Sequence, residues 1–179
     1  MSEKAKLYIV LSQTGTIFAR IIKLFTRAQF NHCSIGFSPD LRYMFSFARR
    51  YTYFPFWAGY VAEGLHKGTY KRFPNSNLMV LELAVDEEQY QAILQRCEEM
   101  YRNRQQYHYN ILGLCYAAFK RPLPRRNHYY CSEFVREMLV QHHVIDSQFF
   151  QPMVEPAHFM NLPGAKIIFC GILKDYLIQ

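Results

Sequence analysis

No stretch of this chain stays apolar long enough to cross a bilayer. The longest run, interrupted by one glycine, goes from Ile111 to Phe119, against the roughly 18 to 20 residues that a spanning helix needs. The N-terminal segment is equally short of a secretory signal: Lys4 and Lys6 precede only the apolar Leu7 to Leu11, with no small-residue cleavage site behind them. A cytoplasmic protein is therefore expected. Cys-x-x-Cys is absent too, and the five cysteines (33, 97, 115, 131 and 170) are an odd number, so neither a disulfide framework nor a zinc knuckle is indicated. Nothing repeats with the 20 to 50 residue period of a solenoid.

Acidic residues are few, 14 against 21 basic, which leaves a net charge of +7. Such a balance suits anionic partners, but here it is scattered over Arg49-Arg50, Lys71-Arg72, Lys120-Arg121 and Arg125-Arg126. Without a block of five or six like charges, solvated surface is the reading, and no nucleic acid partner is expected. What the chain does have is apolar and aromatic mass: half its residues are hydrophobic, with 15 Phe and 14 Tyr among 179. That composition excludes disorder and fits one domain, residues 1–179, around a substantial core.

Hydrophobic periodicity gives the order of elements. Leu7 to Leu11 is a short β-branched run that reads as a buried strand. From Ile17 to Gln29 apolar residues recur at helical spacing, with Arg20, Lys23 and Arg27 on another face; a solvated face is favoured over one lying on a membrane. Phe30 to Phe37, Tyr43 to Phe47, Tyr60 to Leu65, Leu78 to Val85 and Lys166 to Leu173 read as strands. Asp86 with Gln89 forms a capping box opening a helix to about Arg102. Asn110 to Lys120 and a segment starting at Cys131 are further helices, and Glu155-Pro156 starts a short one.

Two residues stand out chemically. Cys131 opens a helix, where unpaired N–H groups and the macrodipole favour an anion, so its thiol should ionise more readily than a free one. The remaining thiols read as core: Cys33 faces inward from its strand, Cys97 and Cys115 lie on apolar helix faces, and Cys170 is in the last strand. His32 shares a strand face with the small Ser34 and Gly36, onto which a helix carrying Cys131 could pack. An imidazole within reach of a thiol can hold an ion pair with it and protonate a leaving group.

At these residues the chain resembles a family. Tyr8-Ile-Val-Leu-Ser12, Asn31-His-Cys-Ser-Ile-Gly36 and Tyr129-Tyr-Cys-Ser-Glu-Phe-Val135 are similar to the circularly permuted NlpC-type papain-like cysteine hydrolases, the YiiX/YebB-like group. The histidine preceding the cysteine is the permuted order. The resemblance implies a permuted papain-like α+β fold, an antiparallel β-sheet packed against helices. It also implies a third catalytic group on the strand after the histidine strand, which Glu63 in Val61-Ala-Glu-Gly64 matches best.

The function implied is hydrolysis of the amide bond of a small amide or peptide-like substrate by Cys131, His32 and Glu63, without metal or organic cofactor. One alternative is a lipid acyl hydrolase or acyltransferase of the lecithin retinol acyltransferase-like type, which shares the order of residues. Against it, the cysteine stands in Cys-Ser-Glu-Phe-Val rather than Asn-Cys-Glu-His-Phe. The other alternative is a non-enzymatic module binding an anionic partner through the basic loops.

Overall fold

A computed structural model describes residues 4–13, 29–49, 58–113 and 123–178. Most of the basic helix expected over residues 17–29 and most of the helix expected over 110–120, with Cys115, lie outside them. Eight strands form one sheet: β1 (Lys4–Gln13), β2 (His32–Gly36), β3 (Met44–Arg49), β4 (Ala58–Glu63), β5 (Asn77–Asp86), β6 (His108–Tyr109), β7 (His128–Tyr129) and β8 (Ala165–Ile172). The order across the sheet is β7-β6-β4-β3-β2-β1-β5-β8. Every neighbouring pair is antiparallel except β6 and β7, which run parallel. Among the described residues the sheet is accompanied by the α-helices α1 (Gly68–Arg72), α2 (Glu87–Arg102), α3 (Cys131–Gln141) and α4 (Leu173–Tyr176). This is the expected α+β class.

The two faces of the sheet are separated by strand alternation. Leu7, Ile9 and Leu11 of β1 enter the larger core with Cys33, Ile35, Phe45, Phe47, Leu81 and Leu83. Ile93, Cys97 and Met100 of α2 and Phe134, Val135, Met138 and Leu139 of α3 close that core from above. Tyr8 and Val10 point the other way, into a smaller cluster with Leu41, Met44, Tyr70, Leu78, Val80 and Leu173. β1 and β5 are covered on both faces, which explains why they read as continuous apolar runs rather than alternating ones.

The capping box expected at Asp86 is formed, with Gln89 Oε1 accepting from the Asp86 N–H at 3.1 Å. β6, β7 and α1 were not legible: two-residue strands and a five-residue helix are too short for periodicity to register. One expectation about the core fails. β8 lies at the sheet's edge beside β5, where among the described residues nothing buries Cys170, which is exposed rather than buried. Ile167 and Ile168 beside it are exposed as well.

Candidate active site

Cys131 is the first residue of α3, and Tyr130 before it is extended, as a helix cap requires. The residues that follow put Phe134, Val135, Met138 and Leu139 on one stripe, which docks the helix on the sheet and buries Cys131 at 6 % exposure. The start of the helix is pinned twice. Glu133 Oε2 accepts from the Tyr130 N–H at 3.3 Å, and the buried Ser132 hydroxyl donates to the Val154 carbonyl at 2.7 Å. The first N–H groups of α3 have no carbonyl within the helix to bond, so they remain available to an anion at the thiol.

His32 begins β2, with Ser12 of β1 as its register partner. Its Nε2 lies 3.0 and 3.3 Å from the two carboxylate oxygens of Glu63, and 3.3 Å from Ser34 Oγ. The Cys131 thiol lies close enough to the imidazole to favour its charged form; with Nε2 turned to Glu63, Nδ1 is the ring nitrogen free to serve the thiol. Burial opposes charge on the ring, but Glu63 and Cys131 outweigh it and raise His32 from its ordinary 6.5 to about 10. The imidazolium is thus the resting form at neutral pH. The neighbouring Cys33 has its thiol pushed well up by burial first and by the proximity of Cys131 and Glu63.

The three residues singled out in the sequence are therefore brought together, though by a different route. α3 does not pack on the His32, Ser34 and Gly36 face. It shares the core of Cys33 and Ile35, while Gly36 faces Leu41, Met44 and Tyr8 across the sheet. His32 meets the helix because it stands at the strand's beginning, where its ring can reach from one face to the other. Glu63 is likewise not on the next strand: β3 lies between β2 and β4, and Glu63 pairs with Met44. The turn after it needs Gly64, since a Cβ there would sit 2.5 Å from the Arg42 carbonyl oxygen.

Three polar residues around the site escaped the sequence reading. Ser34 was noticed only for being small, and nothing in the sequence marks Tyr70, whose hydroxyl is 3.1 Å from Ser12 Oγ and close to the Ser34 hydroxyl. Fully buried Asn110 donates its backbone N–H to the Tyr129 carbonyl and its side-chain amide to the Leu123 carbonyl, and it lies close to the Glu133 carboxylate. It ties the strand leading to Cys131 to the helix that follows.

No protein-family model matches the chain, and no curated protein matches it. Among solved structures, the metalloprotein yiiX from Escherichia coli superposes with a TM-score of 0.58 at 12 % identity, over 94 % of this chain and 98 % of that one. The protein thus has a YiiX-like α+β fold. Among the described residues no helix is long and apolar enough to cross a membrane.

Proposed function

We propose that this protein is a cysteine hydrolase of amide bonds, with Cys131 as nucleophile, His32 as acid and base, and Glu63 as the group that orients the imidazole. One observation carries the reading: a half-buried imidazole with a carboxylate 3.0 Å from Nε2 and, beside it, a thiol at a helix N-terminus. Nothing in strand or helix packing requires that arrangement. It is, however, what a thiol needs in order to attack and a leaving amine needs in order to depart.

The steps follow from the groups present. The sulfur of Cys131, paired with the His32 imidazolium, attacks the amide carbonyl carbon. The oxyanion that forms is stabilised by the Cys131 backbone N–H at the start of α3. Collapse breaks the carbon–nitrogen bond, and the His32 proton leaves with the amine, producing a thioester. His32, now neutral, takes a proton from water as the water oxygen attacks the thioester; the sulfur departs with the acyl group released as its carboxylic acid. The Glu63 carboxylate holds Nε2 as the outer nitrogen and leaves Nδ1 to serve the thiol.

YiiX is described as a metalloprotein. Among the described residues of this chain, no three His, Cys, Asp or Glu side chains are placed to hold a metal, so the donor set of the candidate site does not fit one.

The test is a side-by-side screen of amide and ester substrates with Cys131→Ala and His32→Ala controls. Turnover should vanish in both variants, and the double variant should be no worse than either alone, because members of one unit are not additive. Undiminished turnover in Cys131→Ala would refute the assignment. Preference for long-chain esters over amides would move the substrate class to lipids.

A further inference from the structure

We infer that Tyr70 is a positioning residue for this reaction, holding the His32–Glu63 pair in place through Ser34; the inference rests on the hydrolase reading above. Tyr70 OH lies 3.1 Å from Ser12 Oγ and close to the hydroxyl of Ser34, whose own Oγ is 3.3 Å from His32 Nε2. Ser12 and Ser34 are fully buried and Tyr70 is 2 % exposed. The chain of hydroxyls therefore runs through protein, from β1 by way of α1 to β2, and ends on the nitrogen that Glu63 also holds.

A buried hydroxyl needs a partner, and a tyrosine of purely structural role is satisfied by one carbonyl. Tyr60 is such a case, donating to the Cys97 carbonyl at 3.1 Å. Tyr70 instead joins two serines, in an apolar cluster of Tyr8, Val10, Leu41, Met44, Leu78 and Val80 that offers little else polar. Burial above all, and the Glu63 carboxylate next, push its phenol far up, so it stays protonated and able to donate.

The local chain geometry ties Tyr70 to Glu63 as well. After β4 the backbone is held by the Leu65 N–H on the Leu41 carbonyl and the Lys67 N–H on the Gly64 carbonyl, each at 3.1 Å. Gly68 then takes φ of +58°, which starts α1 and aims Tyr70 back under the sheet. One connection thus sets both the carboxylate and the phenol. With Ser34 and Glu63 both at Nε2, rotation of the imidazole away from Cys131 breaks two contacts instead of one.

Tyr70→Phe keeps the ring and removes the donor. Since a hydrogen bond of this kind changes an equilibrium by roughly three- to tenfold, kcat should fall about three- to tenfold with KM nearly unchanged. The His32 imidazole, followed by NMR, should titrate at lower pH than in the wild type. Ser34→Ala should reproduce both effects, and combining the two should add little. Tyr8→Phe removes a hydroxyl outside the chain from the same cluster and should leave both readouts unmoved. Should Tyr70→Phe not fold, Ser34→Ala alone decides.

Wild-type kcat and an unmoved titration in Tyr70→Phe would overturn the inference even if Cys131→Ala is inactive. If the wild type turns over no amide or ester, the hydrolase reading fails separately. The titration then still decides whether Tyr70 holds the imidazole: a shift supports it, and no shift removes it.

Discussion

Replacing Glu63 with Gln deletes one negative charge and leaves a carbonyl oxygen that can still accept from Nε2, 3.0 Å away. Burial is the largest influence on the His32 ring and opposes its charge; Glu63 and Cys131 together prevail and bring it to about 10. In Glu63→Gln, burial is opposed by Cys131 alone. An opposite charge in contact moves a titration by ~1–3 pH units, and each unit is ~1.4 kcal/mol between the two protonation states. The imidazole of the variant should therefore titrate lower by that amount. The folded pKa lies above the unfolded value of 6.5, so His32 contributes stability in full below pH 6.5 and loses it as pH rises through about 10. Denaturant midpoints of wild type and variant should differ most near pH 6.5 and converge toward pH 10. The His32 resonance, identified by its loss in His32→Ala, gives the titration directly. An imidazole titrating at the same pH in both proteins, or a stability gap indifferent to pH, would refute the ion pair.

Thiol reactivity gives a second check. Burial pushes Cys97 up to about 12 and Cys33 well above its ordinary value, so both should react slowly with iodoacetamide, whereas exposed Cys170 competes for reagent. In Cys170→Ser, limiting reagent near neutral pH should label Cys131 ahead of Cys33 and Cys97, and His32→Ala should remove the preference; peptide maps showing Cys33 labelled equally would contradict it. Gly64→Ala should cost about 1–3 kcal/mol, because its Cβ meets a backbone oxygen that cannot swing aside. It should also lower the His32 titration by displacing Glu63, and a variant with normal stability and titration would show that the turn does not set the carboxylate.

The long elements were legible because burial imprints a period: β5 and α2 were placed within about two residues of their observed ends. The identities of Cys131, His32 and Glu63 were legible through short motifs around them. Their mutual arrangement was not. Alternation along β2 put His32 on the face away from α3 and suggested a helix there, but a residue at the end of a strand is not confined to one side. Glu63 was assigned to the strand after the histidine strand because the resemblance implies a carboxylate there, although the strand read at Tyr43 to Phe47 already stands between the two, as β3 does in the sheet. Cys170 lies in an apolar run that reads as core, and only the topology shows that β8 is an edge. The hydroxyl chain through Tyr70 had no signature at all, since isolated polar residues in apolar segments look alike until their partners are known.

Glu63 stands opposite Met44, on the side of the smaller cluster, while Cys131 arrives with α3 on the side of the larger core. The imidazole between them is fixed only when both layers have closed on the sheet. The contributing segments are dispersed from residue 12 to residue 131, so no shorter piece of this stretch holds the whole centre. On the hydrolase reading, recovery of turnover during refolding should therefore lag recovery of the strand signal, and activity returning in step with that signal would contradict it.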